Sequence, residues 1–229
     1  MKKLFILLFL FITLGTNAQN NKVSGLNARQ FHKYWKVESE SPDYKVTFQG
    51  DTAEILSPKG LTLWRKEKMS GRVTIEYDAC VVVEKEGDIW KREKWRSGIF
   101  LNCYSLQLYY MGYGGNYNST TRFRRYDGNE AGITDPKVRP AILKEYTDTE
   151  HLLKANHWYH IKITNENNRV SYYIDGKRLV DFRDAEPLTE GWFGFRTTLS
   201  RTRITNFRYE CLPSQTSTVP LHWIGNTPE

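Results

Sequence analysis

The chain has 229 residues, 33 Lys and Arg against 26 Asp and Glu, a formal charge of +7, and 14% aromatic residues. Apolar residues at 39% and charged residues at 26% are globular values that exclude wholesale disorder, and three Cys are too few for a disulfide scaffold. No Cys-x-x-Cys or His/Cys cluster offers a zinc site, and the basic excess points to an anionic partner: nucleic acid, a membrane surface or an acidic polysaccharide.

In chain order, Met1, Lys2 and Lys3 form a short basic start, and residues 4–14 are an almost unbroken run of Leu, Phe and Ile. Thr16, Asn17 and Ala18 put small residues where a signal peptidase reads. The run is too short to span a bilayer comfortably, so residues 1–18 are expected to be a cleavable secretory signal. No Cys follows it to carry a lipid. Loss of Lys2 and Lys3 lowers the formal charge from +7 to +5. A periplasmic or secreted location argues against nucleic acid, and no membrane contact is expected after cleavage.

The body reads as strand after strand. Ser57, Pro58, Lys59 and Gly60 signal a turn before the short apolar run 61–64. Residues 72–81 alternate apolar and polar over ten positions, and 104–111 and 121–126 repeat the pattern. Residues 145–153 have room for a short helix. The runs 157–164 and 169–174 flank a polar turn, and the second closes on Asp175-Gly176, a hairpin signal. Residues 191–196 and 203–209 complete the series. Many short strands without long amphipathic helices imply an antiparallel β-sandwich or barrel over residues 19–211. Residues 212–229 are rich in Pro, Ser and Thr and read as a weakly structured tail. Cys80 and Cys103 lie in apolar runs as small hydrophobes, and Cys211 follows the last strand. One disulfide could form among the three, and spacing does not choose the pair.

The segment from His157, Trp158 and Ile161 through Tyr173, Asp175 and Gly176 to Val180 resembles the concanavalin A-like jelly roll. Gly191, Trp192, Gly194 and Phe195, then Ile204 and Phe207, fit its closing strands. The middle of the chain is more specific. Tyr109-Tyr110-Met111-Gly112-Tyr113-Gly114-Gly115-Asn116 followed by Thr121-Arg122-Phe123-Arg124-Arg125-Tyr126-Asp127-Gly128 resembles secreted bacterial YesU-like sandwich proteins, a family of unknown function linked to plant polysaccharide breakdown. The resemblance spans about residues 30–211. It implies a polysaccharide or oligosaccharide partner, acidic and plant-derived. It implies no cofactor, although many jelly rolls hold a structural calcium. Such relatives carry a longer insert rich in Asn, Phe and Trp after the strand of Glu76, where this chain has the short charged stretch 84–96.

Alternation assigns faces. Leu106 and Leu108 are expected in the core, leaving Gln107 and Tyr109 on the other face. Phe123 is expected in the core, with Arg122, Arg124 and Tyr126 opposite it. Three Arg within four positions, with no acid between them, suit carboxylate recognition, because guanidinium forks bind carboxylates bidentately. The intervening loop offers Tyr113 for stacking and Asn116 and Asn118 for amide hydrogen bonds, with Arg125 beside it. A plain Gly/Asn hairpin tip with solvated Arg is the alternative.

The leading expectation is a lyase acting by proton abstraction α to a uronate carboxylate. Arg122, Arg124 and Gln107 would neutralise the carboxylate, and Tyr109 or Tyr126, with pKa lowered by a neighbouring Arg, would move the proton. His151 and His160 are alternative bases. A glycoside hydrolase is the second reading. Glu76 and Asp78 share a strand face as a carboxylate pair, but the third acid of the sandwich glycanases is missing, since Ala79, Cys80, Val81 and Val82 follow. The third reading is a non-catalytic carbohydrate-binding module. Trp90 and Trp95 in the charged stretch would be its stacking residues, while Trp158 and Trp192 are expected to fill the sandwich.

Overall fold

The computed structural model describes residues 24–83 and 104–213. Among these, thirteen strands follow a one-turn helix, α1 (Phe31–Tyr34). They are β1 (Trp35–Ser39), β2 (Lys45–Gln49), β3 (Thr52–Arg65), β4 (Met69–Ser70), β5 (Arg72–Val81), β6 (Gln107–Gly114) and β7 (Thr120–Asp127). After them come β8 (Ile142–Tyr146), β9 (Trp158–Glu166), β10 (Arg169–Ile174), β11 (Lys177–Arg183), β12 (Glu190–Gly191) and β13 (Gly194–Leu212). The large sheet runs β1-β3-β13-β5-β9-β10-β11, with β2 paired to the start of β3. A three-stranded sheet, β6-β7-β8, packs on it, and β4 pairs with β12. Every pairing is antiparallel. The fold is an antiparallel β-sandwich, as the strand pattern implied.

Period two builds the core. On β5 and β9 the opposed pairs Ile75↔Ile163, Tyr77↔Ile161 and Ala79↔Tyr159 point inward, while Glu76↔Lys162 and Asp78↔His160 point out. Val170, Tyr172 and Ile174 extend the inner column on β10, and Ile204 and Phe207 do so on β13. The three-stranded sheet answers with Tyr109, Met111, Tyr113, Phe123 and Tyr146. Phe123 is wedged between Tyr172 and Phe182 at centroid distances of 5.7 and 5.6 Å. Burying a side chain of that size contributes roughly 1.5–3 kcal/mol.

The β5 and β10 boundaries match the sequence expectation at both ends; β5 alternates over most of its length, and β10 stops at the turn residues Asp175 and Gly176. Asp175 and Gly176 both have positive φ, 49° and 78°, as the tight β10–β11 turn requires. The expected turn at Ser57–Gly60 does not form. β3 runs straight through Pro58, which faces the register shift between Thr198 and Ser200 of β13. On the other side, β2 pairs up to Leu56 and β1 starts at Leu61, so the missing Pro N–H costs no ladder bond. No α-helix forms at 145–153; β8 ends at Tyr146 and a single 3-10 turn, Thr149–His151, follows. Trp158 and Trp192 are not core residues. They are 43% and 59% exposed, and Lys68 Nζ lies 5.5 Å over the Trp192 ring. Trp158 falls on the outward parity of β9, whose inner positions Tyr159, Ile161 and Ile163 already fill the sandwich.

Cys80 and Cys211 are free thiols, and burial pushes the Cys80 thiol up. Cys103, Trp90, Trp95, the 84–96 stretch, the signal segment and residues 214–229 lie outside the described residues. Among the described residues no helix is long and apolar enough to cross a membrane.

Candidate functional site

β6 and β7 form a hairpin whose register decides which side chains meet. Tyr109 is opposite Arg125 and Met111 opposite Phe123, so these four share the inner face. Leu108 is opposite Tyr126, Tyr110 opposite Arg124 and Gly112 opposite Arg122, and these six share the outer face. The expected grouping of Phe123 inside with Arg122, Arg124 and Tyr126 outside is what the register places. The β6 assignment is inverted. From 108 onward both parities of this strand are apolar, so alternation had no polar face to read, and a one-residue shift moves every side chain across the sheet. Leu108, Tyr110 and Tyr126 find their own apolar contact outside the main core, with Tyr104 and Ile133.

The inversion takes Tyr109 and Gln107 away from Arg122 and Arg124. Tyr109 Oη donates to Asp184 Oδ2 at 2.7 Å and accepts from the Leu188 N–H at 3.0 Å. Arg125 Nε donates to the same Asp184 oxygen at 2.6 Å and Arg125 Nη2 to the Glu186 carbonyl at 2.8 Å. The Glu186 N–H closes the set on Asp184 Oδ1 at 3.0 Å. Burial raises the Asp184 pKa, but the donors Tyr109, Glu186 N–H and Arg125 outweigh it and hold the carboxyl below its usual range. Tyr109 moves the other way. Burial and the Asp184 charge raise its phenol above the ordinary value, so it is not the Arg-activated base expected from the sequence. Asp184, in the loop after β11, had no sequence signal; it matters only because tertiary packing brings it to Arg125. Gln107 is exposed and pairs with Asp127 at the hairpin's open end.

The loop residues are also redistributed. Tyr113 packs its ring edge-on to Tyr159 at 5.2 Å, donates to the Leu152 carbonyl and is raised by burial, which makes it a core residue. Asn118 holds Leu153 by two bonds, Nδ2 to the carbonyl at 2.9 Å and Oδ1 from the N–H at 2.8 Å. Asn116 donates to Ser119 Oγ at 3.1 Å. His151 lies flat on Tyr146 with ring centroids 4.1 Å apart, its Nδ1 2.7 Å from Asp148 Oδ1, and its carbonyl accepts from Thr121. These contacts pin the 148–153 segment to the hairpin and do not bring His151 to the Arg residues. Asp148, Glu150 and His151 put potential ligand atoms within 4.8 Å of one another. The donor set does not fit calcium, which takes six to eight oxygens: one of its three ligands is a ring nitrogen, and Lys177 already neutralises Glu150 at 2.6 Å.

On the outer face of the large sheet, Glu76 and Asp78 do point the same way. His160 Nδ1 is 2.7 Å from Asp78 Oδ1, Lys162 Nζ is 3.3 Å from Glu76 Oε1, and Arg208 and Asn206 donate to Glu76 and Asp78 respectively. Burial raises both carboxyls, but the cationic and amide donors outweigh it and leave both pKa values lowered. A glycosidase acid must hold a proton at its working pH, and neither carboxyl is raised.

The remaining candidates are Arg122, Arg124 and Tyr126. Arg122 is ion-paired with Glu145 across the β7–β8 ladder. Tyr126 is 5% exposed, packed edge-on to Tyr104 and Tyr110. Tyr110 leans toward Gly112, where an added Cβ would meet its ring at 3.1 Å. Arg124 differs from every neighbour. It is half-buried, and among the described residues its side chain has no hydrogen bond, ion pair or ring contact. Below the hairpin, a cavity of about 280 Å³ opens between the sheets, walled by Tyr77, Tyr109, Met111, Phe193 and Trp192.

Comparison with known proteins fits this architecture. The fold is similar to carbohydrate-binding module CBM66 from Bacillus subtilis, with 16% identity over 77% of this chain and 94% of that one and a TM-score of 0.51. It is similar to a Bacillus subtilis protein of unknown function with a galectin-like fold, with 14% identity over 84% and 96% and a TM-score of 0.59. The exoplasmic/lumenal domain of VIP36 in its Ca2+/Man-bound form aligns at 10% identity over 80% and 85%, with a TM-score of 0.55. At these identities the likeness is one of fold, a concanavalin A-like, galectin-like lectin sandwich. No curated protein matches the sequence. The model of the family described as Domain of unknown function (DUF6250) matches residues 83–207, more than half of the chain, and the chain belongs to that family.

Proposed function

We propose that this chain is an exported, non-catalytic carbohydrate-binding domain for acidic glycans, of the plant-derived kind implied by its resemblance to YesU-like proteins. The observation that carries the reading is Arg124. A half-buried guanidinium loses hydration, and a protein ordinarily repays that with a carboxylate partner. Every other Arg named around the candidate sites has its acid: Arg122 has Glu145, Arg125 has Asp184 and Arg208 has Glu76. Arg124 keeps its fork for a ligand, with Tyr110 directly across the ladder. A uronate carboxylate matches that fork in shape and charge. The lectin-like fold supports the reading, since solved sandwiches with this architecture include a carbohydrate-binding module and a mannose-bound domain.

Catalysis is the weaker reading because the expected machinery is dispersed. Tyr109 serves Asp184 on the inner face, His151 stacks on Tyr146, and Glu76 and Asp78 are engaged with cations. The test is calorimetric titration of the full exported chain with oligogalacturonide and glucuronate-containing oligosaccharides and with their methyl-esterified forms. Binding of the free acids, loss on esterification, and a drop of at least about tenfold in Arg124→Gln are expected, because a charge-assisted pair contributes roughly 1.5–3 kcal/mol. Equal affinity in Arg124→Gln would overturn the assignment. An unsaturated uronate product absorbing in the ultraviolet would instead make the protein a lyase, and new reducing ends would make it a hydrolase.

A further inference from the structure

The tip of the β6–β7 hairpin contains three consecutive non-glycine residues in the left-handed region. Asn116 has φ 50° and ψ 56°, Tyr117 has φ 59° and ψ 42°, and Asn118 has φ 56°. Asn tolerates this conformation because its short amide bonds locally, whereas a Tyr side chain gains nothing from it and clashes with its own backbone. Both flanking Asn residues are committed to holding the turn. Asn118 is doubly bonded to Leu153 and Asn116 is bonded to Ser119. The Ser119 hydroxyl returns to the Asn116 carbonyl at 2.7 Å, and the Ser119 N–H to the Gly115 carbonyl at 3.1 Å. Leu153 closes over Gly114, where an added Cβ would lie 2.4 Å from its methyl group.

Tyr117 therefore sits at the centre of a turn that is strained at this residue and held rigid by its neighbours. Its ring stands half in solvent and packs in neither hydrophobic cluster of the described residues. It is 53% exposed, and among the described residues it makes no hydrogen bond, ion pair or ring contact. An ordinary hairpin tip would carry Gly or Asn here. Strain that persists at an exposed aromatic, with no packing to offset it, points to a role outside the folded chain.

We propose that Tyr117 is a stacking platform for a pyranose ring, a second contact point on the glycan that Arg124 anchors. This rests on the reading of Arg124 given above. A rigid, exposed phenol offers a flat apolar face to the C–H face of a sugar, and its fixed backbone spares the entropy cost of ordering a loop on binding. Thr120 to Arg124 is four strand residues, roughly 13 Å. That exceeds one sugar unit, so only a longer oligosaccharide reaches from the Arg124 fork to the Tyr117 ring. Specificity for chain length follows.

The experiment compares uronate monosaccharide and a long uronate oligosaccharide on the wild-type chain, Tyr117→Gly, Tyr117→Phe and Tyr117→Trp, with thermal unfolding of each. Tyr117→Gly should lower affinity for the oligosaccharide about tenfold, leave monosaccharide binding unchanged, and melt at the same temperature as the wild type or above it, because Gly relieves the left-handed strain. Phe and Trp should retain the oligosaccharide, since the hydroxyl has no partner to lose. Full oligosaccharide affinity in Tyr117→Gly, or a clear fall in its melting temperature, overturns the platform. If Arg124→Gln loses both ligands while Tyr117→Gly loses neither, the platform fails and the Arg124 reading stands. If the wild-type chain binds no uronate at all, both fall.

Discussion

The outer face of the large sheet and the outer face of the three-stranded sheet are both decorated with charge, yet they use it differently. On the large sheet, Glu76 and Asp78 are met by Lys162, Arg208, His160 and Asn206, so each acid is answered within the protein. On the small sheet, Glu145 answers Arg122, and among the described residues nothing answers Arg124. A dense charged patch is therefore the poorer guide to a ligand site, because mutual neutralisation leaves little field to recognise anything. One desolvated charge without a partner says more. The inner face of the same hairpin supplies the internal control: Arg125, one residue along, is neutralised by a carboxylate that is itself buried.

That contrast can be broken by substitution. The largest expected effect is on stability at the inner pair. Asp184→Ala leaves Arg125 without its carboxylate and frees Tyr109, and should cost about 3–5 kcal/mol in denaturant unfolding. Arg124→Gln should change stability by no more than about 0.5 kcal/mol while removing acidic-glycan affinity. A large stability loss in Arg124→Gln would make it one more structural arginine. Acid titration should sharpen the comparison further. Glu54, Glu76, Asp78 and Asp184 all have folded pKa values lowered by net donor contacts. Their contribution is then complete above the unfolded values of about 4, and is lost as pH falls through the lower folded values. Stability measured by denaturant midpoint should be flat above about pH 5 and decline below about pH 4, with a shallower decline in Asp184→Asn. The smallest effect belongs to the large sheet. Glu76→Gln combined with Asp78→Asn should cost roughly 1 kcal/mol or less, as partly exposed ion pairs do, and leave glycan binding intact. Loss of binding there would move the site to the other face.

Much of this was legible in the sequence where one physical signal acted alone. The β5 and β10 strands, the Asp175-Gly176 turn and the grouping of Arg122, Arg124 and Tyr126 against Phe123 all follow from alternation and turn chemistry over a few residues. The misreadings fall where two signals compete. Pro58 and Gly60 look like a turn until the β13 register shift and the gap between β1 and β2 make room for them in a strand. β6 carries apolar side chains on both faces, so only its pairing with β7 could say whether Tyr109 or Tyr110 meets the arginines. Trp158 and Trp192, expected in the core, stay exposed, and Trp158 does so because it falls on the outward parity of β9.

The amino-acid order alone determined the all-β class, the strand periods and a basic cluster suited to carboxylates, because those are local properties of neighbouring side chains. Which arginine finds no partner among the described residues was decided only by the tertiary structure. Asp184 lies 59 residues from Arg125 and Glu145 lies 23 from Arg122, and no local rule relates such distances. The β7–β8 register brought Glu145 to Arg122, the packing of the two sheets brought Asp184 to Arg125, and neither brought an acid of the described residues to Arg124.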